Sequence, residues 1–188
     1  MTDGDRLIQM LATRSARRGQ FTLASGRQST LYIDARLTTM SPDGLSLIGP
    51  LALATLREAS WEVDAVGGLT LGADPIAYAI AYASQIAGTP LRAFTVRKEA
   101  KEHGTKRVIE GPFQAGDRVA IIEDVITTGA SALRAIDAVT AAGGKVVGVL
   151  ALVDRQEGGR EALEAAGQVV LALATAERIV AAMSRPVA

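Results

Sequence analysis

The sequence predicts an α/β protein with a central parallel sheet of about five strands, helices on both faces and an N-terminal hood. From residue 63 onward, short strands rich in Val, Ile and Leu alternate with segments of helical periodicity. This alternation is typical of a parallel sheet that is buried on both faces. The length of 188 residues suits one domain, with residues 1–40 as helix and hood and residues 41–188 as the α/β core.

The N-terminal region is predicted to contain two helices and a hairpin. Apolar residues at helical spacing predict a helix over 5–18, which Gly19 ends. Residues 21–34 predict two short strands joined by a Ser-Gly turn. Ser41 and Pro42 form a helix start, with a capping side chain before a proline. We expect that helix to run to about Ala59.

The core is predicted to alternate strand and helix up to the C-terminus. Strands are expected over 63–67, 91–96, 118–122, 145–153 and 169–173, and helices over 73–86, from 131 to about 142, over 159–166 and at the end. A polar stretch over 97–116 separates the second and third of these strands. Because ligands of such sheets bind beyond the carboxyl ends of the strands, the residues after each strand are the candidates for function.

Composition excludes several classes of function. Twenty Lys and Arg balance twenty Asp and Glu, so the basic excess of a general nucleic-acid binder is missing. Without cysteine there can be no disulfide, thiol nucleophile or Cys-ligated metal, and the single His103 cannot form a histidine cluster. We therefore expect no metal site made by side chains alone. Short apolar runs and an acidic start predict no membrane span and no signal peptide, hence a cytoplasmic protein.

The segment most indicative of function covers residues 119–131. An apolar strand ends there in Glu123 and Asp124, and a loop rich in Thr, Gly and Ser opens a helix. Backbone N–H groups at a helix N-terminus bind anions, and Gly129 lets a ligand approach the backbone closely. Two carboxylates beside such a cradle suit a ligand with vicinal hydroxyls and a phosphate, such as a ribose 5-phosphate.

This segment resembles the phosphoribosyl-pyrophosphate (PRPP) signature of type I phosphoribosyltransferases. Other segments are similar to the orotate phosphoribosyltransferase family in particular: F-T-L-A-S-G-R-Q-S over 21–29, R-K-x-x-K-x-H-G over 97–104 and D-R-Q-E over 154–157. They stand in the family's order around the PRPP segment, and the likeness covers roughly residues 21–157. On composition alone, residues 97–104 would instead be a solvated charged loop.

The resemblance implies the type I phosphoribosyltransferase fold and a transfer of ribose 5-phosphate from PRPP to orotate. The products would be orotidine 5′-monophosphate and pyrophosphate, in the de novo synthesis of UMP. It also implies magnesium bound mainly through the substrate. Finally, it implies a homodimer in which a lid over 97–111 serves the neighbouring subunit's site.

The resemblance also implies a role for each matching residue. Glu123 and Asp124 would hold the ribose hydroxyls, residues 127–131 the 5′-phosphate, and Arg155 the orotate carboxylate. Cations of the lid would meet pyrophosphate, while Tyr32 and Ile33 would lie along the base. The candidate catalytic residues are Lys101, His103 and Asp124. The full set implied to bind substrate is Tyr32, Ile33, Arg97, Lys98, Lys101, His103, Glu123, Asp124, Val125, Ile126, Thr127, Thr128, Gly129, Ala130, Ser131 and Arg155.

Two positions depart from the family pattern. Ala24 and Leu71 stand where some relatives carry lysine, so two anion contacts are missing, although backbone N–H groups over 68–72 remain to bind pyrophosphate. Two alternatives stay open. One is a phosphoribosyltransferase for a purine or uracil, which would not need Arg155, and the other is a non-catalytic nucleotide-sensing regulator on the same fold.

Overall fold

Two sheets make up the strand structure of this computed structural model, which describes residues 1–22, 28–98 and 108–184. β1 and β2 form an antiparallel pair, and the remaining strands of the described chain form the central sheet. The strands are β1 (Ala16–Thr22), β2 (Gln28–Ile33), β3 (Ala65–Leu69), β4 (Arg92–Val96), β5 (Ile109–Glu110), β6 (Arg118–Ile126), β7 (Lys145–Asp154) and β8 (Val170–Thr175).

The central sheet has the order β5-β4-β3-β6-β7-β8. β3, β4, β6, β7 and β8 run parallel, which confirms the predicted class, and β5 adds an antiparallel edge to β4. The sequence does not predict β5, because two residues inside a polar stretch carry no periodic pattern. From β3 the chain continues to one side through β4, and from β6 to the other through β7. The strand order therefore reverses between β3 and β6, where open α/β sheets form their ligand crevice.

The first and third helices begin at capping side chains. Thr2 caps the first helix by accepting a hydrogen bond from the Asp5 N–H at 3.1 Å, and Ser41 caps the third in the same way. Of the described helices, none is both long and apolar enough to cross a membrane. They are α1 (Asp3–Met10), continued by a π-helical segment (Leu11–Ser15), α2 (Arg36–Thr39), α3 (Pro42–Glu58), α4 (Ala73–Ile86), α5 (Ala130–Ala141), α6 (Gly159–Ala165) and α7 (Ala176–Met183).

Both faces of the central sheet are buried. Along β6, Ala120 and Ile122 pack with residues of α1, α3, α4 and α7, whereas Val119 and Ile121 pack with residues of α5 and α6. All four side chains are fully buried. Full burial of a branched aliphatic side chain stabilises the fold by roughly 1.5–3 kcal/mol. This two-sided burial explains why the strands are continuously apolar rather than alternating.

The first helix is shorter than predicted. The helical segment ends at Ser15 rather than residue 18, and β1 begins at Ala16, which pairs with Ile33. The buried Ser15 Oγ lies 2.8 Å from Thr38 Oγ1 of the unpredicted α2. This long-range contact fixes the end of the helix, and the helical periodicity of the sequence does not reveal it.

β6 is longer than predicted, and this shapes the crevice. The sequence predicts a strand over 118–122 with Val125 and Ile126 in a loop, but both lie in β6, opposite Val153 and Asp154 of β7. On the other side, β3 pairs with β6 only as far as Gly67 and Ile121. Beyond that point β6 has a neighbour on one side only, and its last residues border an open crevice.

Candidate active site

A cavity of about 450 Å³ lies at the reversal point of the sheet. The ends of β3 and β6, the N-terminus of α5 and the β2 strand of the hairpin form its walls. Ligands of α/β sheets bind at such a point, and the volume suits a small molecule. The sequence-predicted residues that line it are Tyr32, Ile33, Lys98, Glu123, Asp124, Val125, Ile126, Thr127, Thr128, Gly129, Ala130, Ser131 and Arg155.

The two acids of the site differ in environment. Glu123 is 8% exposed. Burial, followed by the neighbouring charge of Asp124, raises the pKa of Glu123 from 4.5 to about 9. Asp124 is more open, and its Oδ1 accepts a hydrogen bond from the Val125 N–H at 2.8 Å. At neutral pH the pair therefore offers one protonated acid and one acceptor, a combination that matches the hydrogen bonds of two vicinal hydroxyls.

The loop after β6 forms an anion cradle. Gly129 has a φ of +81°, and a Cβ there would lie 2.9 Å from the Gly159 carbonyl oxygen, so the turn requires glycine. α5 starts at Ala130 without a capping side chain at Gly129 and without an acid in its first turn. The Ala130 N–H donates a long hydrogen bond to Thr128 Oγ1 at 3.4 Å, whereas the next N–H groups of the first turn point to the open end of the helix, where the helix dipole favours an anion.

Arg155 is a buried guanidinium that the hairpin covers. It is 6% exposed, and its Nη2 donates to Ser29 Oγ and the Leu31 carbonyl oxygen, both at 3.0 Å, and to Glu157 Oε1 at 2.6 Å. Within the described residues, the buried Arg155 Nε has no hydrogen-bond partner. A buried donor without a partner costs free energy, so a ligand acceptor at Nε would stabilise the site.

The candidate cations of the lid differ in where they lie relative to the cavity. Lys98 lines the cavity, and its carbonyl oxygen accepts a hydrogen bond from Arg134 Nη2 of α5 at 2.7 Å. Arg97 is outside the lining, with its Nη1 lying 3.5 Å from Glu110 Oε1. Lys101 and His103 lie outside the described residues, as does Ala24.

The structure differs from the sequence interpretation at two places in or near the cavity. Gly68 belongs to β3 and not to the turn, so the turn itself is only Thr70–Gly72. The sequence interpretation also missed Arg36, which lines the cavity and forms a two-point ion pair with Asp34. The only local signal for Arg36 is its position just after the hairpin strand.

The residues present fit a magnesium ion that is carried mainly by a ligand. Among the residues that the structure describes, no group of three or more His, Cys, Asp or Glu side chains could hold a metal. Three acidic side chains do border the cavity: Asp34, which is paired with Arg36, Glu123, whose pKa is raised, and Asp124. Magnesium in proteins is commonly held by one or two carboxylates plus substrate phosphates.

Comparison with known proteins decides the family. The phosphoribosyl transferase domain model matches residues 40–177. Orotate phosphoribosyltransferase from Aquifex aeolicus is 49% identical over 162 residues, which cover 86% of this chain and 87% of that protein. The chain belongs to the orotate phosphoribosyltransferase family.

Solved structures agree with this family. The crystal structure of Mycobacterium tuberculosis H37Rv orotate phosphoribosyltransferase in complex with PRPP superposes with a TM-score of 0.81 at 40% identity, covering 95% of this chain and 99% of that one. The complex of the same enzyme with Fe(III) dicitrate gives a TM-score of 0.83 at 43% identity, covering 95% and 99%. The type I phosphoribosyltransferase fold predicted from the sequence is thereby confirmed.

Proposed function

We propose that the chain transfers ribose 5-phosphate from PRPP to orotate, giving orotidine 5′-monophosphate and pyrophosphate in de novo pyrimidine synthesis. The observation that carries this proposal is the set of side chains and backbone groups that line one cavity. An acid pair, an uncapped helix N-terminus and a buried guanidinium border the same space in a member of the orotate phosphoribosyltransferase family. These groups match, in turn, the hydroxyls and phosphate of the donor and the carboxylate of the acceptor.

On the donor side, Glu123 and Asp124 bind the ribose 2′- and 3′-hydroxyls, and the cradle of residues 127–131 binds the 5′-phosphate. The acid pair and the cradle are close in the chain, because only residues 127–129 separate the end of β6 at Ile126 from the start of α5 at Ala130. The sugar and its phosphate are thus held by one rigid strand-to-helix junction. Rigid positioning of the reacting carbon accelerates bimolecular chemistry.

On the acceptor side, Arg155 pairs with the orotate carboxylate while Tyr32, Ile33 and Thr127 contact the base. All four residues line the cavity, and Arg155 is held in place by the hairpin and Glu157. A guanidinium whose orientation is fixed loses little entropy on binding a carboxylate. The same arrangement disfavours a base without a carboxylate, such as uracil, because the buried Arg155 Nε would then gain no charged acceptor.

The leaving pyrophosphate is bound by cations of the lid over 97–111, namely Arg97, Lys98, Lys101 and His103. Breaking the bond to the anomeric carbon gathers negative charge on pyrophosphate, so fixed cations stabilise the transition state. Magnesium bound mainly through the substrate would supply further neutralisation of that charge, and Asp124 would be the carboxylate to hold it. His103 either donates a proton to the leaving group or contacts its phosphate.

We propose a homodimer built on the exposed face of α4. Tyr78, Tyr82 and Ile86 follow one another at helical spacing and are all more than half exposed. Tyr78 also borders a shallow, mostly apolar depression together with Met40 and Leu71. Leu71 also lines the cavity, so a second copy seated on this face would reach the mouth of the site, as a shared lid requires.

The dimer is tested by mass measurement in solution. Tyr82→Glu should turn a dimer into a monomer and lower turnover. The control is Val169→Glu, which changes an exposed apolar residue directly before β8 and should do neither. A wild-type chain that sedimented as a monomer at assay concentration would contradict the proposal. We further propose that the reaction takes place in the cytoplasm.

The reaction is tested with a panel of bases. Purified chain, magnesium and PRPP are mixed separately with orotate, uracil, hypoxanthine and guanine, and loss of base and release of pyrophosphate are followed. We expect turnover with orotate alone. Turnover with another base would overturn the acceptor, and binding of PRPP without turnover would favour a regulator.

A further inference from the structure

A hydrogen-bonded network behind the Thr70–Gly72 turn centres on Asp74. This side chain lies in the first turn of α4 and is 7% exposed. Thr70 Oγ1 donates to Asp74 Oδ2 at 2.7 Å, and Thr95 Oγ1 of β4 donates to Asp74 Oδ1 at 2.8 Å. The hydroxyl of Tyr78 lies 2.8 Å from Thr95 Oγ1.

The direction of these hydrogen bonds follows from counting protons. A threonine hydroxyl has one proton, and that of Thr95 goes to Asp74. Tyr78 must therefore donate to Thr95, so the hydrogen bonds run from Tyr78 through Thr95 to the carboxylate of Asp74. Hydrogen bonds linked in this way strengthen one another. The network joins the ends of β3 and β4 to α4 through side chains.

The opposite side of the turn faces the cavity. Thr70, Leu71 and Gly72 line it, and a Cβ at Gly72 would lie 2.5 Å from Asp124 Oδ2. The turn also leads into α4 with no capping side chain at Gly72. The Thr70 N–H is already bonded to a carbonyl oxygen of β4, so the N–H groups of Leu71 and Gly72 are those left for a ligand, beside the acid proposed to hold the ribose and where the pyrophosphate of a bound donor would lie. Neither Asp74 nor Thr95 lines this cavity.

We propose that Asp74 and Thr95 are positioning residues that hold the Thr70–Gly72 turn in the orientation in which it binds the pyrophosphate group of PRPP. This proposal rests on the proposed function. The two residues act through Thr70, whose hydroxyl is anchored by Asp74 and whose N–H is anchored by the Val96 carbonyl oxygen at 2.8 Å. With lysine missing at Leu71, the precise placement of backbone N–H groups carries more of the pyrophosphate binding.

The test removes one hydroxyl outside the cavity. Thr95→Val deletes the donor to Asp74 at nearly constant volume, and Thr95→Ser keeps it. Thr55→Val is the matched control, because its hydroxyl donates only within α3, to the Leu51 carbonyl oxygen. Calorimetric titration measures the dissociation constants of magnesium pyrophosphate and of ribose 5-phosphate, and steady-state kinetics gives kcat and the KM for PRPP.

We expect Thr95→Val to weaken pyrophosphate binding and raise the KM for PRPP by about tenfold, the effect of losing one hydrogen bond to a charged group. Binding of ribose 5-phosphate should be unchanged, and Thr95→Ser should restore pyrophosphate binding. Tyr78→Phe should act in the same direction but more weakly, and it carries the test if Thr95→Val fails to fold. Because Tyr78 also lies on the proposed dimer face, this variant counts only if its mass in solution equals that of wild type.

Either of two results would overturn the proposal: wild-type pyrophosphate affinity in folded Thr95→Val, or equal weakening of pyrophosphate and ribose 5-phosphate. Equal weakening would mean general damage to the site. A chain that binds PRPP but does not consume orotate would instead refute the proposed function. Selective loss of pyrophosphate binding in Thr95→Val would still support the positioning role in that case.

Discussion

Replacing Glu123 by glutamine should make the protein more stable and less active. Glu123 is almost fully buried, and burial together with Asp124 raises its pKa to about 9. The folded chain therefore retains a proton on Glu123 that the unfolded chain releases above about pH 4.5. The stability contributed by Glu123 is complete below that pH and is progressively lost as the pH rises towards 9. Glutamine has nearly the same shape and no charge to bury.

The size of the effect follows from the two pKa values of Glu123. One pH unit between 4.5 and about 9 corresponds to about 1.4 kcal/mol. At pH 7 the titration of Glu123 has lowered the free energy of unfolding of the wild-type chain by about 3 kcal/mol relative to low pH, against about 1 kcal/mol at pH 5. The advantage of Glu123→Gln over wild type should thus grow by about 2 kcal/mol between pH 5 and pH 7, or by about 4–8 °C in Tm for a domain of this size.

The assay is thermal or denaturant unfolding of both chains over this pH range without ligand. Taking the difference between the chains cancels titrations that both share. Asp137→Asn makes the same kind of change at an exposed position of α5 and controls for the general loss of one carboxylate. In parallel, kcat/KM for PRPP should fall by roughly tenfold or more in Glu123→Gln, because one hydrogen bond to the ribose is altered.

The stability difference between Glu123→Gln and wild type must increase with pH if Glu123 is buried and protonated. An advantage of Glu123→Gln that shrank or stayed constant from pH 5 to pH 7 would refute the buried, protonated acid. Unchanged kcat/KM would separately refute its contact with the ribose.

Further changes test the cations of the site. Lys101→Ala should lower kcat strongly, by tenfold or more as for other groups that stabilise transition-state charge, while unfolding stability stays within about 0.5 kcal/mol; unchanged kcat would remove Lys101 from the mechanism. Mixing Lys101→Ala chains with Asp124→Ala chains should restore part of the activity through hybrid dimers, and no recovery after chain exchange would contradict a shared lid. Arg36 is a cation that lines the cavity, and we expect it to attract the anionic donor, so Arg36→Gln should raise the KM for PRPP roughly three- to tenfold. Arg118→Gln, at an exposed ion pair at the other end of β6, should not.

Local sequence patterns were sufficient to predict that residues 123–131 line one cavity. Glu123, Asp124 and the loop up to Ser131 are contiguous, and a strand followed by a glycine turn and a helix places them at one edge of the sheet. The length of β6 was wrong, since Val125 and Ile126 belong to the strand. Strand length depends on pairing with β7, which the residues of β6 alone do not specify.

Contacts between distant parts of the chain were not predictable in this way. Arg36 lines the cavity because the hairpin folds over the sheet, and Thr95 meets Asp74 across 21 positions of sequence. The end of the first helix likewise depends on Ser15 meeting Thr38. Each of these features needs the tertiary fold, so spacing and periodicity carry no signal for them.

The most direct test of the account is a structure of the chain with orotidine 5′-monophosphate bound. We expect the phosphate on the N–H groups of residues 127–131, the ribose hydroxyls on Glu123 and Asp124, and the base carboxylate on Arg155. A nucleotide bound in the cavity with its carboxylate turned away from Arg155, or with its phosphate outside the cradle, would contradict the account.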